Sequence, residues 1–162
     1  MRKMMITACT TLGLYAGANA QSSSANHNVN LVLADAIQIA FTSGGPGVSI
    51  NFNTVANYTN GVDADNAATL EVSSNTDYNV TVKAGAADFS SASATTMPVN
   101  NVLFVKEASQ GSYVDLTITD QDLLTNQTRG TNSFNVSYRA NPGFSYDSGT
   151  YTASVIYTAT QL

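Results

Sequence analysis

The chain of 162 residues holds one cysteine, one histidine and no tryptophan. Cys9 lies within a stretch that reads as a removable leader, so residues 21–162 have no disulfide and their fold must rest on packing and sheet hydrogen bonds. His27, the one histidine, stands six residues after Gln21 in a polar stretch. A Ser-His-Asp triad needs its base held by a packed scaffold, and one histidine without cysteine leaves zinc short of ligands. Glu71 and Glu107 are the two glutamates, and a glycosidase needs two carboxylates facing each other across a cleft. Positive charge is equally scarce: six Lys and Arg stand against eleven Asp and Glu, a net charge of −5. Loss of Arg2 and Lys3 with the leader deepens this to −7, which makes nucleic acid and anionic membrane surfaces poor partners, and no nucleic-acid partner is expected. No apolar run approaches the roughly 20 residues of a spanning helix, so no transmembrane segment is expected in the mature chain. A non-enzymatic protein without a cofactor is the expectation.

What is present begins with an export signal. Arg2 and Lys3 form its basic start, Met4 to Leu14 a short apolar stretch, and Ala18 and Ala20 the small residues before a cleavage point at Gln21. Ile6-Thr7-Ala8-Cys9 resembles the box ahead of a lipid-bearing cysteine, but it leaves almost no apolar stretch before the cysteine. Cleavage after Ala20 is therefore predicted, with residues 1–20 as signal peptide and 21–162 as one exported domain in the periplasm, at the cell surface or outside the cell. That length buries a core without covalent staples.

Period-two alternation runs through most of the domain. Val29, Leu31 and Leu33, then Ile37, Ile39 and Phe41, predict two strands or one kinked at Asp35. Ser43-Gly44-Gly45-Pro46-Gly47 is turn chemistry, and Val48, Ile50 and Phe52 predict the next strand. Asn53 to Ala67 reads as irregular, with at most a helical turn over Thr54 to Tyr58. Leu70 and Val72, turned by Ser73 to Thr76 into Tyr78, Val80 and Val82, predict a hairpin. After a small, polar loop over Ala84 to Met97, strands are expected over Val99–Lys106, Tyr113–Thr119, Ser133–Arg139 and Thr150–Thr160. A loop over Asp120 to Gly130 separates two of these. Eight or nine short strands, several with one apolar and one polar face, predict an all-β, single antiparallel β-sandwich.

Two groups of side chains are candidates for binding. Asp63, Asp65 and Asn66 offer oxygen ligands at near-alternate positions, as a calcium ion requires, though such clusters are also ordinary solvated turns. Tyr58, Phe144 and Tyr146 fall in loops, where aromatic rings are free to meet a glycan or an adhesion partner. Tyr78, Tyr138, Tyr151 and Tyr157 instead alternate in register with core positions.

The ending Gly149-Thr150-Tyr151-Thr152-Ala153-Ser154-Val155-Ile156-Tyr157-Thr158-Ala159-Thr160, with Asn51-Phe52-Asn53 and Tyr78-Asn79-Val80-Thr81-Val82, resembles small exported bacterial β-sandwich proteins. It is loosely similar to chaperone–usher fimbrial subunits and spore-coat-U-like proteins. Such subunits often carry a disulfide, absent here, and a tyrosine next to last, where this chain has Gln161. The resemblance implies an immunoglobulin-like or fimbrial-subunit-like sandwich serving as a surface, fimbrial or matrix structural subunit. It also implies self-association by strand addition, in which a neighbour's N-terminal segment fills a groove. Val29, Leu31, Leu33, Ile37, Ile39 and Phe41 are the donor row on that reading, or the first strand of the domain's own sandwich on the simpler one. The alternative function is a secreted binding module for glycans, adhesion partners or calcium.

Overall fold

Ten strands and one short helix build the protein, as seen in a computed structural model that describes residues 22–45, 47–93 and 95–162. The predicted signal peptide and its cleavage point at Ala18, Ala20 and Gln21 lie outside the described residues. The chain divides into two units at Leu33 and Ala34. In the first unit, residues 22–33 form no helix or strand.

The second unit carries every element among the described residues. These are β1 (Ile37–Ser43), α1 (Val55–Asn60), β2 (Val62–Ser74), β3 (Tyr78–Ala84), β4 (Ser90–Ser91), β5 (Leu103–Glu107), β6 (Val114–Asp115), β7 (Gln121–Gln127), β8 (Gly130–Ala140), β9 (Tyr151–Thr152) and β10 (Val155–Gln161). One sheet has the order β1-β2-β8-β5-β6, another β10-β3-β7, and β4 with β9 forms a small ribbon. All pairings are antiparallel. The fold is an all-β, antiparallel sandwich.

Its core follows from the alternation. On β2, Leu70 and Val72 are buried, and on β3 Tyr78, Val80, Val82 and Ala84 are buried at every second position. Val105, Leu116 and Val136 complete the centre of the cluster. The one deep phenol, Tyr78, keeps its hydroxyl satisfied by accepting a 3.0 Å hydrogen bond from Asn132 Nδ2. Gly44 ends β1 at φ 92, and a Cβ there would meet Ala67 O and Ala68 Cβ at 2.6 Å. Only glycine fits that turn.

Several local expectations differ from the structure. β2 and β3 lie in different sheets, so residues 75–77 form an arch between layers rather than a hairpin turn. Each strand has a buried row that needs covering by the other across the core. The predicted loop at Asp120 to Gly130 contains β7, whose alternation is broken: neighbouring Leu123 and Leu124 are both buried, the register with β3 shifts twice, and Asn126 sits at φ 52. Val29–Leu33 and Val48–Phe52 form no strand, although Ile50 and Phe52 still pack against the core. The irregular stretch Asn53 to Ala67 resolves into α1 and the first half of β2. Thr54 and Asn57 close a reciprocal capping box on α1, and pairing of β2 with β8 is interrupted between Ala64 and Ala68.

Across the two layers, the hydroxyls of Tyr138 on β8 and Tyr157 on β10 meet at 2.7 Å. Burial raises the pKa of both phenols, and for Tyr157 the neighbouring Tyr138 raises it further. A raised folded-state pKa means that stability is fully present below the ordinary value of about 10 and is lost as pH climbs above it. On alkaline titration, a fraction of the tyrosinate absorbance should therefore appear only together with loss of the β-sheet circular dichroism signal. Complete tyrosine ionisation with the sheet signal intact would contradict the desolvated hydroxyl pair.

Candidate functional site: an open groove between two sheet edges

Antiparallel partners share a face of the sheet, so the pairing register identifies which side chains of the edge strands point inward. On β1, Ile37, Ile39 and Phe41 pair with Ser74, Val72 and Leu70, all three buried. On β10, Val155, Tyr157, Ala159 and Gln161 pair with Ala84, Val82, Val80 and Tyr78, again all buried. The inner faces of β1 and β10 thus continue the core, yet they are not covered like it. Ile37 is 37% exposed and Phe41 46%, and none of the seven residues of β10 is buried. β10 pairs with β3 along one edge, and its other edge has no strand partner among the described residues.

The result is an apolar groove between β1 and β10. Phe41 and Tyr157 meet edge to face across it at 5.4 Å. At one end, Gln161 Nε2 donates to Ala36 O at 3.1 Å, to Ser74 Oγ at 3.3 Å and to Asn75 Oδ1 at 3.1 Å. Asn75 grips the start of β1 as well: its Oδ1 accepts from Ala36 N at 2.9 Å, and its Nδ2 donates to Ala34 O at 2.8 Å. Sequence reasoning missed this clamp. The departure at Gln161 was its one visible signal, and its partners lie 86 and 125 residues away in sequence.

The opposite side of the sandwich is built differently. Its edges are β6, two residues long, and β7, whose register shifts twice. Short and bulged edges resist strand addition, whereas β10 is regular over seven residues.

The predicted donor row divides at the boundary between the two units. Ile37, Ile39 and Phe41 lie in β1, within the domain's own sheet. Val29, Leu31 and Leu33 lie in no strand and are 74%, 84% and 86% exposed. His27, in the same segment, is exposed.

Of the aromatic candidates, Tyr58 and Phe144 come together. Their rings stack at 5.4 Å, and Phe52 packs against Tyr58 at 5.3 Å. Phe144 remains 66% exposed. Tyr146, half-buried, has no ring partner among the described residues. Two of the three cation candidates make other bonds. Asp63 pairs with Arg139 at 3.3 Å and accepts from Tyr113 Oη at 3.3 Å, and the Asn66 amide donates to Ser137 Oγ at 3.0 Å. Asp65 stands exposed beside them. Among the described residues no three His, Cys, Asp or Glu side chains are placed to share a metal ion. Desolvation first, and then the Asp63 carboxylate, push the Tyr113 phenol up to about 12. Arg139 also donates to Asn60 O at 2.7 Å, tying the end of α1 to β8.

The clamp makes a local prediction. Asn75→Ala removes the side-chain partners of Ala34 O, Ala36 N and Gln161, each hydrogen bond contributing about 0.5–1.5 kcal/mol. The variant should melt several degrees lower, with faster hydrogen exchange at the Ala36 amide. Unchanged exchange there would show that the clamp does not hold the start of β1.

No family model matches the chain, and no curated protein does. Among solved structures, the chain is similar to one from a structure of a chaperone–usher pilus concerned with rod uncoiling. The two are 12% identical, the match covers 90% of this chain and 100% of that one, and the TM-score is 0.49.

Proposed function

We propose that this protein is the structural subunit of an exported surface fibre, assembled by strand donation between copies. Residues 29–33 of one copy lie along the free edge of β10 in the next and seat their apolar side chains in the groove between β1 and β10.

The observation that carries this reading is the free, regular edge of β10 beside a half-covered apolar row, in a chain that also has an exposed, alternating apolar segment at its N-terminal side. The periods match. Val29, Leu31 and Leu33 in extended form place a side chain about every 7 Å, the same interval as Val155, Tyr157, Ala159 and Gln161. Full burial of a Val or Leu side chain contributes roughly 1.5–3 kcal/mol, so three of them with a ladder of backbone hydrogen bonds outweigh the 2–5 kcal/mol typical of ordering a flexible segment on binding. Donation from the N-terminal side of one copy to the groove of another is head-to-tail, and such an interface propagates into open filaments. The negative mature charge and the predicted signal peptide fit a soluble exported subunit.

The test uses residues 21–162 and the double variant Leu31→Asp, Leu33→Asp. The unmodified protein should form concentration-dependent oligomer ladders on size exclusion and fibres in electron micrographs. The double variant, changed at exposed positions, should stay monomeric with its groove empty. A peptide of residues 22–35 should then bind that variant and raise its melting temperature. An unmodified protein that is monomeric at every concentration, or ladders that survive the double substitution, would contradict the proposal.

A further inference from the structure

We infer that neighbouring bodies in this fibre touch pole to pole, the Tyr58–Phe144 shelf of one copy seating against the cleft beside Ala36 in the next. The inference rests on the strand-donation reading above and adds a second interface to it.

The pairing registers define two poles of the unit formed by residues 34–162. At one lie Val62 of β2, Ala84 of β3, Ala140 of β8 and Val155 of β10. At the other lie Ser74, Tyr78, Gly130 and Gln161 of the same strands, with Ile37 of β1 beside Ser74. The first pole carries α1 and the loop after β8, and with them the exposed Phe144 ring resting on Tyr58. Val55 on α1 is also an exposed apolar residue there. The second pole carries a shallow cleft of about 280 Å³ lined by Ala36, Ser73, Ser74, Asn75, Gly130 and Thr131. Gly130 and Ala36 have almost no side chain to fill it.

Chain connectivity brings these two features together. Every pairing in both sheets is antiparallel, and antiparallel pairing is the more stable kind per residue. A donated segment laid antiparallel to β10 runs from the Gln161 pole of the acceptor to its Val155 pole, so Leu33 emerges at the pole that carries the Phe144 shelf. The next residue, Ala34, is already bonded to Asn75 of the donor's own body, and Ala36 is too. Each extended residue spans at most about 3.6 Å, so no free tether separates the two bodies. The donor's Ala36 cleft must therefore face the acceptor's Val155 pole, where Phe144 projects. An exposed aromatic ring on a rigid stack is the kind of side chain that anchors such a contact.

The absence of cysteine from residues 21–162 allows a direct test. Phe144→Cys with Thr131→Cys places one thiol on the shelf and one in the cleft. Asp122→Cys with Thr131→Cys is the control, because Asp122 is exposed along β7, at the edge of the sandwich away from the groove. Linked copies hold neighbouring sites at effective concentrations on the order of mM. The shelf–cleft pair should therefore give covalent ladders on mild oxidation at micromolar protein, visible on denaturing gels and abolished by reductant, while the control should not. Non-covalent oligomers on size exclusion without shelf–cleft cross-links, or equal ladders from the control, would overturn the second interface and leave strand donation standing. Monomers alone, with no ladder from either variant, would overturn both.

Discussion

The structure turns on an unmet pairing: among the described residues β10 ends the smaller sheet with its outer edge unpaired, over inner faces that continue the core. Everything near that edge reflects it. The buried rows of β2 and β3 are fully covered because each faces the other across the sandwich, whereas Ile37, Phe41 and the inner row of β10 are only half covered. The groove is an apolar surface that a monomer leaves in water, where each square ångström costs about 25 cal/mol relative to burial. Exposed, regular edges over apolar faces are the sites where strands add.

The opposite edges of the sandwich are built to resist strand addition. β6 is two residues long and β7 carries two register shifts, so neither presents a straight ladder. One side of the sandwich is thus open and the other blunted. The clamp of Asn75 and Gln161 fixes the start of β1 against the body, and residues 22–33 before it form no helix or strand.

Alternation in the sequence was enough to read the all-β fold and the inward rows of β1 and β3, because period two marks the faces of a strand directly. It was not enough for partnership. Leu70–Val72 and Tyr78–Val82 read as a hairpin, but whether adjacent strands pair or stack depends on which buried rows need each other, a long-range property. β7 read as a loop because a bulge puts Leu123 and Leu124 side by side and erases the alternation. The candidate residues divide in the same way. Tyr58 and Phe144 were both suspected as loop aromatics, and the structure adds Phe52, whose core-like pattern hid its place in the cluster. Asp63, close to Asp65 and Asn66 in sequence, is drawn off by Arg139, 76 residues away. The groove itself had no sequence signature, because an unpaired edge is a missing partner and not a residue pattern.

Amide hydrogen exchange along Val155–Gln161 tests the central claim most directly. In the antiparallel pairing with β3, alternate amides of β10 point into the sheet and toward the free edge. The account predicts that the free-edge amides exchange rapidly in the monomeric Leu31→Asp, Leu33→Asp variant and become protected in the assembled protein, while the β3-facing amides are protected in both. Protection of the free-edge amides in the monomer, or their continued rapid exchange in the fibre, would contradict it.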